Sequence, residues 1–297
     1  MDKAFAAACF TRMTGRNVEV CEEIPGGLSS AEKFYVKAGN RDSFVKVTGE
    51  ALDFSVYETL RAMHEAGIHV IAPLQWEYFR GEKKSVLIYD WKPGETLDAV
   101  LERCTDAEKA MYGKKAAALL REFHGFANAP GKYKRPYRLY KRYASCIFRN
   151  RIRYPNKKEM AGFVRRNRKE LKKRRSAALT HQDFRPGNIL VREDVLYLFD
   201  FETTYSSDPY SDFVFCISMQ PDSHIPYSRA LIEEYFDGDV PEVFWLRTVF
   251  YCIMAVQKYA IWKYRRKGRM VRLQAEHLYA LYDGLRTVTP SFWRDLK

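Results

Sequence analysis

Two acids and one amide lie close together in residues 181–188 (HQDFRPGN) and at Asp200, which closes the hydrophobic run after them. Phosphoryl transfer needs a metal ion on the phosphates and a carboxylate that orients and deprotonates the attacking hydroxyl. Mg²⁺ takes oxygen ligands, usually one or two from the protein and the rest from phosphates and water. Asn188 and Asp200 offer such oxygens, and Asp183 remains to act as the base. The residue types and their spacing therefore predict metal-assisted phosphoryl transfer.

This pattern resembles the catalytic core of the aminoglycoside phosphotransferase and choline kinase superfamily, whose members are small-molecule relatives of the protein kinases. The core has His-x-Asp, an Asn five residues after the Asp, and a second Asp at the end of a hydrophobic strand. These residues are His181, Asp183, Asn188 and Asp200 in this chain. The segment 200–202 is Asp-Phe-Glu where protein kinases have Asp-Phe-Gly, which fits the small-molecule branch better.

Three residues near the core receive supporting roles. The resemblance implies that Asp212, in the segment 208–212 (DPYSD), braces the catalytic loop. His181 is interpreted as a brace of the same loop, since the carboxylate of Asp183 is better suited to activating a hydroxyl. Arg185 is a candidate for stabilising charge in the transition state, and a salt bridge at the loop surface is the alternative.

A nucleotide-binding lysine is expected upstream. Lys46 lies in an alternating strand, 44–47 (FVKV), and the resemblance implies that it reaches the α- and β-phosphates of ATP or GTP. Glu58, twelve residues further on and in the middle of a predicted helix, is expected to pair with Lys46 and hold its ammonium group toward the phosphates.

Two further segments complete the expected nucleotide site. Glycine amides and small side chains allow close approach to anionic oxygens, so a loop over the phosphates is predicted, with a simple turn as the alternative. Its residues are Gly26, Gly27, Ser29 and Ser30. Residues 88–91 (IYDW) match the hinge, and backbone groups near Tyr89 and Trp91 are expected to bind the base. Main-chain contacts leave no side-chain signature that separates ATP from GTP.

The elements around these residues predict an α+β, bilobal, protein-kinase-like fold. Strand patterns at 32–38 and 43–48, a helix at 53–66, and strands at 70–78 and 85–89 follow the order of a kinase N-lobe. The chain then turns mostly helical, with expected helices at 97–103, 106–126, 137–149, 157–174, 228–236, 241–266 and 271–286. Residues 1–91 are therefore predicted to form a nucleotide-binding N-lobe, and residues 92–297 a larger C-lobe with the catalytic loop and the substrate-binding helices.

Composition limits the class of protein. The chain has 297 residues, of which 46% are hydrophobic, and this is ample for a large core. No stretch of about 20 residues is free of charge, so no membrane span is expected. The six cysteines have no Cys-x-x-Cys or Cys/His metal spacing, which favours reduced thiols and a cytoplasmic protein.

The net charge is +13, and nineteen Lys or Arg against two acids lie between Lys132 and Arg175. Such a block could attract nucleic acid or an acidic partner. The favoured interpretation is a solvated helical face, because no Gly-rich or aromatic RNA-binding signature accompanies it, and nucleic acid is not an expected partner. The sequence carries no signature of an oligomeric state.

The acceptor is expected to be a hydroxyl group of a small molecule. An aminoglycoside-type antibiotic is the first hypothesis, since acids are available in the C-terminal half, although a basic chain would not steer a polycation. A metabolite such as choline, ethanolamine, homoserine or a sugar is the alternative, since aromatic residues of the C-terminal helices could cage an ammonium group, if they are not simply core. A catalytically silent kinase-fold protein that docks an anionic partner is the third hypothesis, and the intact set of Lys46, Asp183, Asn188 and Asp200 argues against it.

Overall fold

The computed structural model describes residues 3–25, 31–49, 52, 54–126, 153–173 and 177–294. The chain divides into two compact units, Met1–Thr96 with Ile189–Glu202, and Leu97–Asn188 with Thr203–Lys297. The first unit therefore includes residues 189–202, which the sequence prediction of lobes at 1–91 and 92–297 places in the second lobe.

The first unit is built on a five-stranded antiparallel sheet. Its strands are β1 (Val20–Glu23), β2 (Glu32–Ala38), β3 (Arg41–Thr48), β4 (Gln75–Phe79) and β5 (Lys84–Asp90), in the order β1-β2-β3-β5-β4. Two helices belong to the same unit, α1 (Lys3–Thr14) and α2 (Phe54–Glu65). The predicted hairpin between β2 and β3 turns at Gly39, whose φ of +63° is a conformation that glycine adopts without strain.

One face of this sheet packs against α1. Side chains alternate between the two faces of a strand, so Val45 and Val47 on β3 lie on the face that packs against Phe10 of α1. Lys46 lies between these two valines and therefore points to the opposite face, where it is nevertheless buried. The alternation of β3 thus separates the packing face from the face that carries the lysine.

A second, three-stranded sheet of the first unit leads to Asp200. It consists of β6 (Glu95–Thr96), β8 (Ile189–Arg192) and β9 (Val195–Leu198), in the order β6-β8-β9. The β8–β9 hairpin turns at Glu193 and Asp194, which both have positive φ, as a two-residue hairpin turn requires. Leu198 forms an isolated parallel bridge with Val70, a residue that the sequence predicts to lie in a longer strand from 70 to 78.

The second unit is mainly helical. Its helices are α3 (Leu97–Leu101), α4 (Asp106–Gly125), α5 (Lys157–Arg166), α6 (Arg168–Leu171), α7 (Val214–Ser218), α8 (Ile225–Tyr235), α9 (Glu242–Leu281) and α10 (Ser291–Arg294). Two short strands, β7 (Ala178–Thr180) and β10 (Tyr205–Ser207), pair antiparallel. Three 3₁₀ helices lie at Pro186–Asn188, Pro209–Phe213 and Asp222–His224.

Helix α4 begins with a capping box. The Thr105 hydroxyl accepts from the Glu108 amide, and the Glu108 carboxylate accepts from the Thr105 amide at 2.7 Å. Two amide donors that the first turn would otherwise leave without partners are satisfied in this way. This local signal starts the helix that packs along α8 through the second unit.

Helix α9 is assigned without a break over 40 residues, where the sequence predicts two helices. A straight helix of this length would span about 60 Å. Trp245 near its start nevertheless lies 5.0 Å, ring to ring, from Trp293, only twelve residues beyond its end. The segment after α9 therefore returns toward the start of the helix. Among the described helices, α9 included, none has the length and apolarity needed to cross a membrane.

Candidate active site

The loop that follows β7 carries the predicted base. Asp183 is part-exposed, and its Oδ2 accepts from Asn188 Nδ2 at 2.7 Å. The same amide nitrogen donates to the Asp183 carbonyl at 2.9 Å, which ties the two residues together at two points. Within the described chain, Asp183 Oδ1 accepts no hydrogen bond, so one carboxylate oxygen remains available to a hydroxyl donor.

Asn188 is buried at the end of the 3₁₀ helix Pro186–Asn188. Because its nitrogen faces Asp183, its amide oxygen is directed away from that carboxylate. This oxygen accepts no hydrogen bond from any described residue. An amide oxygen in such a state is chemically suited to a hard cation.

Asp212 holds the start of the loop. Its carboxylate accepts from the backbone amides of His181 at 2.8 Å and Gln182 at 2.6 Å. His124 Nε2 lies 2.9 Å from the same carboxylate, while its Nδ1 lies 2.8 Å from the Tyr235 hydroxyl. The two residues predicted to brace the loop are thus in contact, since the Asp212 carboxylate binds the backbone amide of His181.

Gln182 is held in a strained conformation beside the base. Its φ is +65°, a region that non-glycine residues occupy at a cost of about 1–3 kcal/mol. Its side-chain nitrogen donates to the hydroxyls of Thr180 and Ser211, both at 2.7 Å, and its oxygen accepts from Tyr205 at 2.9 Å. These bonds, with that to Asp212, compensate for the strain and direct the chain into Asp183.

Arg185 lies near the base but makes only a weak contact with it. Its Nε is 3.4 Å from Asp183 Oδ2, and its guanidinium group lies over the Phe215 ring at 5.9 Å. A Cβ on Gly187 would come within 2.8 Å of Arg185 Nη1, so the glycine leaves room for this side chain. The alternative of a salt bridge is thus present as a weak contact with Asp183, and the charge-stabilising role of Arg185 stays a prediction.

Lys46 meets two carboxylates in the first unit. Its Nζ lies 2.7 Å from Asp200 Oδ1 and 2.9 Å from Glu202 Oε1. Burial lowers the pKa of Lys46, but the charges of Asp200 and Glu202 outweigh burial, and the pKa is raised from its ordinary value. The lysine is therefore a buried, charged ammonium group. Asp200 has a φ of +72°, a strained conformation for a non-glycine residue.

The predicted pair between Lys46 and Glu58 is wrong. Glu58 is exposed on α2 and forms no ion pair with a described residue. The buried face of α2 is formed by Val56, Tyr57, Thr59, Leu60 and Met63. Glu58 lies about 200° around the helix from Val56, and hence on the solvent side. Glu202, which the sequence analysis assigned no role, takes the predicted place of Glu58 beside the lysine.

The backbone groups of the predicted hinge segment alternate in direction, and base binding near Tyr89 and Trp91 stays a prediction. The amide of Trp91 donates to the Asp42 carbonyl at 3.2 Å, so β3 already occupies it. Ile88 faces β4 instead, because its carbonyl accepts from Leu74 at 2.7 Å. Backbone groups alternate in direction along a strand, so Tyr89 and Trp91 face β3. Asp90 is the residue of this segment whose backbone points away from β3.

Several predicted features lie outside the described residues. They are Gly26, Gly27, Ser29 and Ser30 of the phosphate loop, and residues 132–152 and 174–175 of the basic segment. The described part of the basic segment forms α5 and α6, separated at Asn167 where a single helix is predicted. Met160, Phe163 and Val164 form its buried face, as expected for a surface helix that carries Lys and Arg.

A buried ion pair near the loop has no counterpart in the sequence analysis. Arg247 of α9, which is 1% exposed, donates from Nε to Asp208 Oδ2 at 2.6 Å, and the Tyr251 hydroxyl donates to the same oxygen at 2.9 Å. Asp208 also caps the 3₁₀ helix that carries Asp212. The sequence shows that Arg247 and Tyr251, four residues apart, lie on one face of a helix. It does not show that their shared partner is Asp208, which is 39 residues from Arg247 along the chain.

Most aromatic residues of the C-terminal helices whose side chains the structure describes are core. Phe244, Trp245, Phe250, Tyr251 and Tyr282 are all buried. They do not form an open cage for an ammonium group. A cavity of about 1050 Å³ in the second unit is lined by residues of both charges, among them Glu159, Asp283, Arg166 and Arg286.

Comparisons with known proteins agree with this architecture. Residues 20–245 match the profile of the family described as "Phosphotransferase enzyme family". No curated protein matches the chain significantly. Spectinomycin phosphotransferase APH(9)-Ia, solved with ADP and spectinomycin, has a similar structure at 15% identity, covering 94% of each chain, with a TM-score of 0.62.

Two other solved structures extend the likeness. Choline kinase LicA from Streptococcus pneumoniae shares 18% identity over 89% of this chain and 94% of its own, with a TM-score of 0.63. A choline/ethanolamine kinase family protein from Mesorhizobium loti shares 18% sequence identity over 100% of this chain and 98% of its own, with a TM-score of 0.66. The predicted kinase-like α+β fold is confirmed, and the chain belongs to the phosphotransferase enzyme family.

Proposed function

We propose that this phosphotransferase is a Mg²⁺-dependent kinase that transfers the γ-phosphoryl group of ATP or GTP to a hydroxyl group of a small molecule. The observation that carries the proposal is the arrangement of Asp183. One oxygen is held by Asn188, and the other accepts no hydrogen bond in the described part of the chain. A carboxylate in this state can accept the hydrogen of an alcohol and orient its oxygen for attack.

Asp183 acts as the base in this mechanism. Its free oxygen accepts the acceptor's hydroxyl proton as the new oxygen–phosphorus bond forms, while the bond from the γ-phosphorus to the bridging β-phosphate oxygen breaks and the nucleoside diphosphate leaves. The two hydrogen bonds from Asn188 and the attachment of the loop to Asp212 keep the carboxylate in one orientation. Positioning of this kind supplies much of the rate enhancement in phosphoryl transfer, since the protein does little covalent chemistry.

The side chains fit a divalent cation. Asp200 and Asn188 would hold it, and Glu202 is a further oxygen donor. Glu202 Oε1 is buried and, although close to Lys46, receives no aligned hydrogen bond from a described residue. A buried carboxylate oxygen with spare acceptor capacity suits a hard cation. When bound, Mg²⁺ would neutralise charge on the transferred phosphate.

Lys46 is the proposed phosphate ligand, and Arg185 a second cation near the transferred group. Lys46 is kept charged by Asp200 and Glu202. The base of the nucleotide would bind backbone groups at Asp90, since the Trp91 amide is occupied by β3. Glycine and serine residues at 26–30 are proposed to cover the phosphates.

An aminoglycoside-type antibiotic is the first candidate acceptor. Spectinomycin and hygromycin B are bound by two proteins of similar fold. A metabolite alcohol of the choline, ethanolamine, homoserine or sugar type is the second candidate. It is favoured by the net charge of +13, which repels a polycation, and by the likeness to choline kinases.

The compartment is proposed to be the cytoplasm. The described cysteines, Cys9, Cys21, Cys104, Cys216 and Cys252, are free thiols. Burial raises the pKa of Cys9 to about 11 and that of Cys252 to about 12, which keeps both in the unreactive thiol form.

The test is a nucleotide-consumption screen over aminoglycosides, macrolides, amino alcohols and sugars, with ATP and with GTP. An acceptor-dependent signal is expected with the wild type, and a loss of about 10²–10⁴-fold in Asp183→Asn. Asp239→Asn, which alters an exposed carboxylate, should retain wild-type turnover. Wild-type turnover in Asp183→Asn would show that the mechanism is wrong. Salt-sensitive binding to RNA or anionic lipid, without turnover on any acceptor, would favour the silent docking protein instead.

A further inference from the structure

Lys46 lies between the two carboxylates that a divalent cation would need. Its Nζ is 2.7 Å from Asp200 and 2.9 Å from Glu202, and its side chain is only 6% exposed. Asp200 and Glu202 flank Phe201, which is 3% exposed and packs into the interior. Both carboxylates are therefore presented by one short segment, with the buried ring as its anchor.

Lys46 forms an ion pair with both of these carboxylates. Tyr57 and Tyr89 are buried beside them, and the charges of Glu202 and Asp200 contribute to the raised pKa of both phenols. Burial is the larger cause in each case. Carboxylates in such surroundings need a counter-charge, because an unpaired buried charge is costly. Lys46 supplies it when no metal is bound.

Glu58 is not the ion-pair partner of Lys46 and does not compete with Asp200 and Glu202 for its ammonium group. In the arrangement that the sequence predicts, a helix glutamate holds the lysine and leaves the metal-binding carboxylates free. In the structure Glu58 is exposed, and the partners of Lys46 are Asp200 and Glu202 themselves. A cation and the ammonium group therefore require the same oxygens.

We propose that Lys46 is the resident counter-ion of Asp200 and Glu202, and that it competes with the divalent cation until the phosphates of a nucleotide give it another anionic partner. This inference rests on the proposed function for the identity of the nucleotide. Its consequence is coupling: metal binds weakly without nucleotide, and each ligand increases the affinity for the other.

The competition can be measured without nucleotide or acceptor. Mn²⁺ is the probe, because it takes oxygen ligands like Mg²⁺ and its free ion is detected by electron paramagnetic resonance. Lys46→Met removes the competing charge and should tighten Mn²⁺ binding by about tenfold or more relative to wild type. Lys46→Gln, which is polar and neutral, should tighten it in the same direction.

Two controls separate this effect from general electrostatics. Lys84→Met removes one positive charge on β5 at a site where Nζ is 3.8 Å from Glu32, and it should leave Mn²⁺ affinity unchanged. Lys46→Met combined with Glu202→Gln should lose most of the gain. If the gain persists in the double variant, or if Lys84→Met reproduces it, the proposal is wrong.

The stability of the variants gives a second readout. Lys46→Met removes the lysine counter-ion of two part-buried carboxylates, so its Tm should fall and Mn²⁺ should restore it by more than it raises the wild type. A variant that folds but binds Mn²⁺ no more tightly than wild type overturns the proposal. So does one that Mn²⁺ fails to restore. Because no acceptor is present, these results are independent of whether the screen identifies a substrate.

Discussion

At the scale of single residues, the loop that carries Asp183, the proposed base, is held by the carboxylate of Asp212. Asp212 is 2% exposed and collects two backbone amides and one imidazole nitrogen. The amides belong to the two residues just before Asp183, and one of them, Gln182, is strained. Loss of the hydrogen bonds that Asp212 accepts should therefore let Gln182 relax to an unstrained backbone conformation and change the orientation of Asp183.

Asp212→Asn tests this dependence. The amide has one acceptor oxygen and no charge, so at least one charge-assisted backbone bond is lost, at a cost of about 1.5–3 kcal/mol in the free energy of unfolding. We expect a lower urea midpoint and a reduced kcat at saturating nucleotide, with nucleotide affinity unchanged. Asp239→Asn is the matched control. An Asp212→Asn protein with wild-type kcat would contradict the bracing role.

At the scale of elements, the second unit depends on the close approach of α4 and α8. A Cβ added to Gly113 would lie 2.3 Å from the Tyr227 carbonyl and 3.0 Å from Ala230 Cβ. The first contact is with backbone, which cannot rotate away. The glycine thus sets how closely α4, which ends beside His124, can pack against the helix that carries Tyr235.

Gly113→Ala should force the two helices apart. Overpacking of a buried contact costs about 1–3 kcal/mol, and a backbone clash puts this substitution at the upper end, so Tm should fall by several degrees. Gly125→Ala is the control within the same helix. A Cβ there meets nothing within 4 Å, and alanine should stabilise the helix by up to about 1 kcal/mol. Equal effects of the two substitutions in a thermal scan would refute this account of the packing.

At the scale of the whole molecule, ligand binding should be visible as stability. A ligand that binds only the folded state at about 100 times its Kd contributes roughly 2.7 kcal/mol, which corresponds to a rise in Tm of about 5–10 °C in a chain of this size. We expect this rise in Tm with a non-hydrolysable ATP or GTP analogue and Mg²⁺. The rise should be smaller when a chelator replaces Mg²⁺ and the same analogue is present.

The metal-dependent part of the shift should require Asp200. Asp200→Asn is expected to respond equally with and without Mg²⁺, whereas Asp183→Asn should keep the full wild-type shift because the base does not hold the nucleotide. Differential scanning fluorimetry of the three proteins is the measurement. An undiminished Mg²⁺-dependent shift in Asp200→Asn would remove that residue from the proposed metal site.

Errors in the sequence interpretation occurred where a long-range partner was assigned. Glu58 was assigned by its distance along the chain from Lys46, although Val56, Leu60 and Met63 already marked the opposite face of α2 as buried. The base contacts near Tyr89 and Trp91 stay a prediction, although strand alternation turns the Trp91 amide toward β3. Local periodicity carries this information in both segments, since 3.6 residues per helical turn and two per strand repeat determine side-chain and backbone direction.

The sequence by itself determined what is local: the loop 181–188, the strand that leads to Asp200, the hairpin at Gly39 and the alternation that buries Lys46 opposite the packing face of β3. These follow from spacing, turn chemistry and periodicity over a few residues. Only the tertiary structure decided which distant groups meet, such as Lys46 with Glu202 and Arg247 with Asp208. Those pairs depend on how separate elements pack, and packing is a property of the whole fold and not of any one segment.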